Sequence, residues 1–424
     1  MHTKTSTDKT LRLAKGNMSE KISKILTMSV PILMGIFLFF NPFPHTTAIK
    51  EICFYSSLFI VLILISFRQI GFSFQSPVTI PFLFFVIWVF VGLFFALDRE
   101  NSIHDFFTHL LKYLALYYLL VNFFASKKRF EILSWVIIIS TAFFSLGAMI
   151  YFYLLSGHPI SERLGASFLE LHVDYIGFVT LFPILLSLDR FNGKTSAYTK
   201  VILLVCLLVT SMATLLTQSR GTLAAAVIAF IILFPKKKKT LIVFSILFLI
   251  GAGITPGLTN RLDLTKALND VRIGINLTTY EIIKSHPVIG IGFGMETYGN
   301  KNLLDLEKYN ARVPPQYRQK RIITAPHNVF LDIAVRTGLV GIALYIYILF
   351  VFVRMGWKII RHGKDNFIRD RGFCIMAAFV GIIVQGIFAD GMFGPQAIVL
   401  FTIFAMITIL FGLRDDITGL PADE

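Results

Sequence analysis

Apolar residues along this chain gather in long runs rather than in amphipathic stripes or alternating pairs. The runs cover about 24–40, 51–67, 77–97, 106–124, 132–155, 171–188, 200–217, 221–235, 239–255, 338–360, 372–390 and 396–413. Each is long enough, or nearly so, to cross a bilayer as a helix, and 221–235 is the weakest. A helix satisfies its own backbone in lipid, so the pattern predicts an all-α polytopic membrane protein of about twelve transmembrane helices. It divides the chain into a basic tail (1–23), helices one to nine (24–255), a polar loop (256–337), helices ten to twelve (338–413) and a short tail (414–424).

Within the polar loop, Leu262, Leu264, Leu268, Val271, Ile275, Leu277, Ile282 and Ile283 recur at mixed helical spacing. They predict helical segments lying over a membrane face, with Pro287 as the stop. Gly290-Ile-Gly292-Phe-Gly294 then reads as a turn, and Pro314-Pro315 breaks the second half of the loop. No soluble domain with its own core is expected here. Pro326 suits the first turn of a new helix with Thr324 as cap, which puts His327 at a helix N-terminus, where the dipole favours a neutral ring. Gly338 should end or bend that short interfacial helix before the 339–360 span.

Composition agrees with repeated spans: 55% of the 424 residues are hydrophobic, 43 are Phe, and mean hydropathy is +0.72. The formal net charge of +15 orders them. With the N-terminus inside, segments facing the cytoplasm carry 24 Lys and Arg, whereas the short outer loops carry only Lys50, Arg99, Arg163 and Arg220. This asymmetry places both termini in the cytoplasm and the polar loop outside. The basic excess is then topology and anionic-lipid contact, and no nucleic-acid partner is expected. Cys53, Cys206 and Cys374 fall inside predicted spans and read as packing residues. No cleavable signal is evident, so the first helix should act as an anchor whether translation starts at Met1 or Met18.

Ionisable residues at a membrane surface are functional candidates. Arg163, in Ser-Glu-Arg-Leu-Gly-Ala, and Arg220, closing Thr217-Gln218-Ser219, lie in outer turns; Arg272 lies in the loop's main helical stretch, and His327 ends the loop. All four share one side of the membrane under a topology drawn from charge alone. Snorkelling to headgroups is the competing reading for Arg220, and helix-surface charge for Arg272 beside Asp270. Lys284 and Arg318-Gln-Lys320-Arg321 suit headgroup contact better than chemistry, and Lys284, Arg318 and Arg321 are kept as further candidate substrate contacts. The glycine run follows no strand and is not a dinucleotide fingerprint. No metal-ligand spacing appears in the outer segments, so neither metal nor cofactor is expected.

Three elements carry a family resemblance: Thr217-Gln-Ser-Arg220-Gly; Arg272 followed by Tyr280-Glu281, Pro287 and Gly290-Ile-Gly292-Phe-Gly294; and His327-Asn328-x9-Gly338-x-x-Gly341. They resemble the bacterial O-antigen ligase family, within the superfamily that also holds O-antigen polymerases and some protein oligosaccharyltransferases. The resemblance implies glycan transfer from undecaprenyl pyrophosphate to a sugar hydroxyl of lipid A-core, at the periplasmic face of the inner membrane, in lipopolysaccharide biosynthesis. It further implies metal independence, Arg220 and Arg272 as essential arginines and His327 as essential histidine, with Arg163 a less secure match. Guanidinium forks suit a pyrophosphate leaving group, and a neutral imidazole suits a hydroxyl that must lose its proton. Direct displacement would invert the anomeric centre. An O-antigen polymerase using the same donor is the nearest alternative. A polytopic transporter is the alternative from another class, although it would place charges at mid-membrane depth.

The charge asymmetry yields a topology prediction. Reporter fusions at Lys238 and Phe367 should report cytoplasm, and those at Asp305 and Gly394 periplasm. Asp305→Cys should be labelled by a membrane-impermeant thiol reagent in cells with a permeabilised outer membrane; a cytoplasmic signal at Asp305 would remove the shared-surface argument.

Overall fold

A computed structural model describes residues 4–165, 173–191, 193, 195–254, 271–389 and 391–415. Every described regular element is helical. The helices are α1 (Lys4–Phe40), α2 (Thr47–Ser66), α3 (Thr79–Gly92), α4 (Arg99–Asp105), α5 (Lys112–Phe123), α6 (Lys127–Met149), α7 (Val173–Phe191), α8 (Ala197–Leu216) and α9 (Arg220–Ile254). After them come α10 (Val271–Ser285), α11 (Leu306–Asn310), α12 (Val329–His362), α13 (Asn366–Gly386) and α14 (Gly394–Asp415). A π-helical turn, Phe106–Leu111, joins α4 to α5, and another, Ile150–Leu155, extends α6.

Each of the twelve apolar runs contains described helix, although 77–97 is helical only over Thr79–Gly92 and 372–390 only as far as Gly386, and seven helices among the described residues are long and apolar enough to cross a membrane. The chain is thus a helical polytopic membrane protein. α3 is shorter, while α7 and α13 carry charges near one end: Asp189 and Arg190 in the last turn of α7, and Arg369, Asp370 and Arg371 near the start of α13. Asp189, Arg190 and Arg371 are paired. Arg371 donates to Asp189 and, at 3.4 Å, to Glu131, and Arg190 donates to Glu131 while stacking on Trp135. Lys127 and Asp365 pair at the same end of the bundle.

α9 merges the two expected runs 221–235 and 239–255, with Pro235 inside it. It is not straight. A Cβ on Gly251 would lie 2.8 Å from the Leu215 side chain, five residues before Arg220. A straight helix would carry Gly251 about 46 Å from Arg220, roughly twice what that contact allows. The element therefore bends sharply in between, where Pro235 removes a helical hydrogen bond and Lys236–Lys239 follow.

The large cluster of buried apolar side chains lies between the long helices, and a smaller one joins α6, α7 and α8 round Phe144, Phe152, Tyr175 and Leu216. The polar loop departs from expectation, because it does have a core. Ile282, Ile283, Ile291, Tyr298, Leu304 and Leu306 pack with Ala334 and Val335 at the start of α12. Thr279 and Tyr298 share a hydrogen bond inside this unit, and Asn310 is hydrogen-bonded to Gln319 and Thr278. The apolar positions that suggested helices lying on lipid are partly turned inward; Leu262, Leu264 and Leu268 lie outside the described residues.

The same loop is docked on a broken helix. Within α12, Gly338 has φ 71° and ψ −175°, so the helix stops at Thr337 and restarts. Three carbonyls at that end are capped: Val335 accepts from Ile291 N at 2.9 Å, Arg336 from Gly292 N at 3.1 Å and Thr337 from Trp88 Nε1 at 2.8 Å. Beyond the break, Leu339 N donates to Pro287 O at 2.7 Å. The glycine run is thus the cap of a buried helix end. Arg336 completes the joint through Asp332 (2.6 Å), the carbonyls of Gly294 and Met295, and the ring of Phe393. Gly341 leaves room for Thr337 Oγ1, which would lie 2.0 Å from an added Cβ.

Gly338→Ala should be costly, since its Cβ would lie 1.9 Å from the Val288 carbonyl oxygen at a φ that strains side chains. The expected loss is about 2–3 kcal/mol, seen as a lower detergent melting temperature and less folded protein. Gly147→Ala, with nothing within 4 Å of its added Cβ, is the control and should match the wild type. Wild-type melting of Gly338→Ala would show that the break is not required.

Candidate active site

The turn between α8 and α9 is assembled from short-range polar contacts. Thr217 Oγ1 donates to Thr214 O at 2.7 Å and accepts from Ser219 N at 3.3 Å, and Gln218 takes a left-handed φ of 50°. Ser219 caps α9: its Oγ accepts from Thr222 N at 3.4 Å and its carbonyl from Leu223 N at 3.0 Å. Arg220 is then the first residue of α9. The loop after α6 is clamped on this turn, with Leu164 N on Leu216 O at 2.9 Å, Arg163 Nε on Thr217 O at 3.0 Å and Gln218 Nε2 on Ser161 O at 3.2 Å.

Arg272 comes from the first turn of α10. Its Nη2 donates to Asp174 Oδ2 at 3.2 Å, and its guanidinium lies 6.0 Å from the ring centre of Phe388. Asp174, in the first turn of α7, accepts from Ser219 Oγ at 2.8 Å through its other oxygen. His327 arrives from the far side of the loop. The helix it was expected to open starts at Val329 instead, and Asn328 is the cap, its Oδ1 accepting from Phe330 N at 3.0 Å and Leu331 N at 3.2 Å. Asn328 prevails over Thr324 because its side-chain oxygen reaches the first free amides directly. Pro326 therefore precedes the helix, and His327 sits in a left-handed bend with φ 49°.

These residues surround one cavity of about 280 Å³. Arg163, Arg220, Arg272 and His327 line it with Asp174, Gln218 and Ser219, while Val271, Ile275 and Ile323 supply its apolar surface. Three guanidinium groups suit a multiply charged anion, and an imidazole beside them is available for proton transfer. Residues from four separate parts of the chain thus meet at one end of the helical bundle.

Residues 203–346 match the family model described as O-antigen ligase. Over that segment, about a third of the chain, the sequence is similar to the O-antigen ligase family. No curated protein matches the chain. The O-antigen ligase segment contains the α8–α9 turn, Arg220, Arg272, the loop core, His327 and the Gly338 break. Arg163 and Asp174 come from before it.

Of the further candidates, none lines this cavity. Lys284 is exposed, bound to Glu281 at 2.7 Å and lying 4.6 Å from the Tyr280 ring centre. Arg318 braces the loop itself, Nε on Val313 O at 2.8 Å and Nη2 on Ala311 O at 2.6 Å. Arg321 is exposed on the loop surface. Conversely, Asp174 escaped sequence reasoning, because one acid at a helix start reads as a dipole partner. Its only signal was its place at that end of a span which the charge asymmetry predicts to be the outer one.

Arg318→Ala should loosen the 311–319 turn that its side chain ties together. Amide hydrogen exchange there should rise about tenfold or more, given about 1.5–3 kcal/mol for charge-assisted bonds. Unchanged exchange would leave Arg318 as a surface charge.

Proposed function

We propose that this protein is a membrane glycosyltransferase of the O-antigen ligase type. It transfers a glycan from undecaprenyl pyrophosphate to a sugar hydroxyl of lipid A-core at the periplasmic face of the inner membrane. The observation that carries the proposal is the cavity lined by Arg163, Arg220, Arg272 and His327.

Arg220 and Arg272 hold the donor pyrophosphate. As the anomeric carbon–oxygen bond breaks, negative charge grows on the departing pyrophosphate, and guanidinium forks fixed beside it stabilise that charge without reorganising. Arg163 supports this side, since its Nε holds the Thr217 carbonyl three residues before Arg220. His327 takes the proton of the acceptor hydroxyl as its oxygen bonds to the anomeric carbon. Attack opposite the leaving group gives inversion. The two termini lie in the cytoplasm and the cavity opens on the periplasmic side, in line with the charge asymmetry.

Substitutions should separate these roles. Arg220→Lys and Arg272→Lys should each weaken donor binding about tenfold or more, because a point charge does not reproduce a planar fork. His327→Ala should keep donor binding near the wild-type level and lower transfer about 10²- to 10⁴-fold, as loss of a general base does. Equal loss of donor binding in all three would move His327 into the pyrophosphate site. The acceptor is read in a deletion strain: a ligase mutant accumulates full polymer on undecaprenyl pyrophosphate, whereas a single repeat on the core would identify a polymerase.

A further inference from the structure

A carboxylate in the wall of a cavity built for an anion needs a reason. Asp174 is such a group, with its side chain 27% and that of its partner Arg272 28% exposed. Opposing a pyrophosphate, it costs favourable potential, so its gain must lie in what it orders. Its two oxygens reach two different elements. Oδ1 accepts from Ser219 Oγ at 2.8 Å, on the turn that presents Arg220, and Oδ2 accepts from Arg272 Nη2 at 3.2 Å, on α10.

Its own position is fixed from behind. Gln385 Nε2, buried in α13, donates to the Asp174 carbonyl at 3.2 Å and to Thr222 Oγ1, in the first turn of α9, at 3.0 Å. α7 and α9 also meet closely here, since a Cβ on Gly177 would fall 2.1 Å from Thr222 Oγ1. The ring of Phe388 supports the other side of Arg272 and packs against Gly221, whose added Cβ would fall 2.9 Å from Phe388 Cβ. The carboxylate is thus a rigid bracket between the turn carrying Arg220 and the helix carrying Arg272.

We infer that Asp174 is a positioning residue that sets Arg272 at the correct separation from Arg220 for a two-phosphate ligand. The inference rests on the proposed donor site and assigns Asp174 no contact with the reacting atoms. Its effect on the donor runs through Arg272, and that dependence can be measured.

The test is binding of undecaprenyl pyrophosphate to the purified full-length protein in detergent, using wild type, Asp174→Asn, Arg272→Ala and the double variant. Asp174→Asn keeps the volume but loses the ion pair. It should weaken binding about tenfold, and the double variant should bind no more weakly than Arg272→Ala alone, the signature of groups acting as one unit. Ser219→Ala, which cuts the tether to the turn together with the longer 3.4 Å cap on Thr222 N, should weaken binding about threefold in the wild type and by less in Asp174→Asn. It also covers the case in which Asp174→Asn does not fold. Several results would overturn the inference: wild-type or tighter binding by Asp174→Asn, losses that multiply in the double variant, or wild-type binding by Ser219→Ala. If the wild type itself fails to bind undecaprenyl pyrophosphate, the donor site falls too; if binding depends on Arg272 but not on Asp174, only this inference falls.

Discussion

The break in α12 at Gly338 is the constraint on which the end of the molecule holding the candidate site depends. A helix that stops inside a protein leaves carbonyls that must find donors, and here they find Ile291, Gly292 and Trp88. That requirement ties the Gly290–Gly294 run to α12 and the loop core to the bundle. His327, two residues before the short helix, is carried with it. Without the break, α12 would be one long span, and only the ties to α4 and to Asp174 would hold the loop over the arginines.

The buried Arg336–Asp332 pair belongs to the same joint. Both side chains are almost fully buried, and the guanidinium also meets the carbonyls of Gly294 and Met295. Removing one member of such a pair leaves a buried charge, typically at a cost of about 3–5 kcal/mol. From the other side, Met295 N donates to Asp105 Oδ2 at 2.5 Å and Gly294 N to Ser102 Oγ at 3.1 Å. The glycine run is therefore held between α4 and α12. Its glycines serve close backbone approach, since an added Cβ on Gly294 would fall 2.1 Å from Asn101 Oδ1.

The sequence made the helices legible because lipid imposes a simple rule on them, and the gathering of Arg163, Arg220, Arg272 and His327 was legible through charge asymmetry. Length and charge say less about long-range pairing. Asp174 is 98 residues from Arg272, and no local pattern links them. Lys284 and Arg318 read from the sequence as headgroup contacts with a candidate substrate role, because a basic loop residue reads the same whether it faces a cavity, a glutamate or a backbone carbonyl. The loop core was hidden for a related reason: Ile282 and Ile283 have the spacing of an interfacial helix, and residues up to about fifty positions on, from Tyr298, Leu304 and Leu306 to Ala334 and Val335, turn that face inward. The cap at Asn328 was visible beside His327, but Pro326 pointed to an earlier start.

A structure of the full-length protein in nanodiscs with bound undecaprenyl-pyrophosphate glycan tests the central claim most directly. The account predicts pyrophosphate density in the α7–α9–α10 cavity, within hydrogen-bond distance of both Arg220 and Arg272, with the His327 ring facing the anomeric carbon from the side opposite the leaving oxygen. Pyrophosphate bound on the Lys284 or Arg318–Arg321 surface, with the cavity unoccupied, would contradict it.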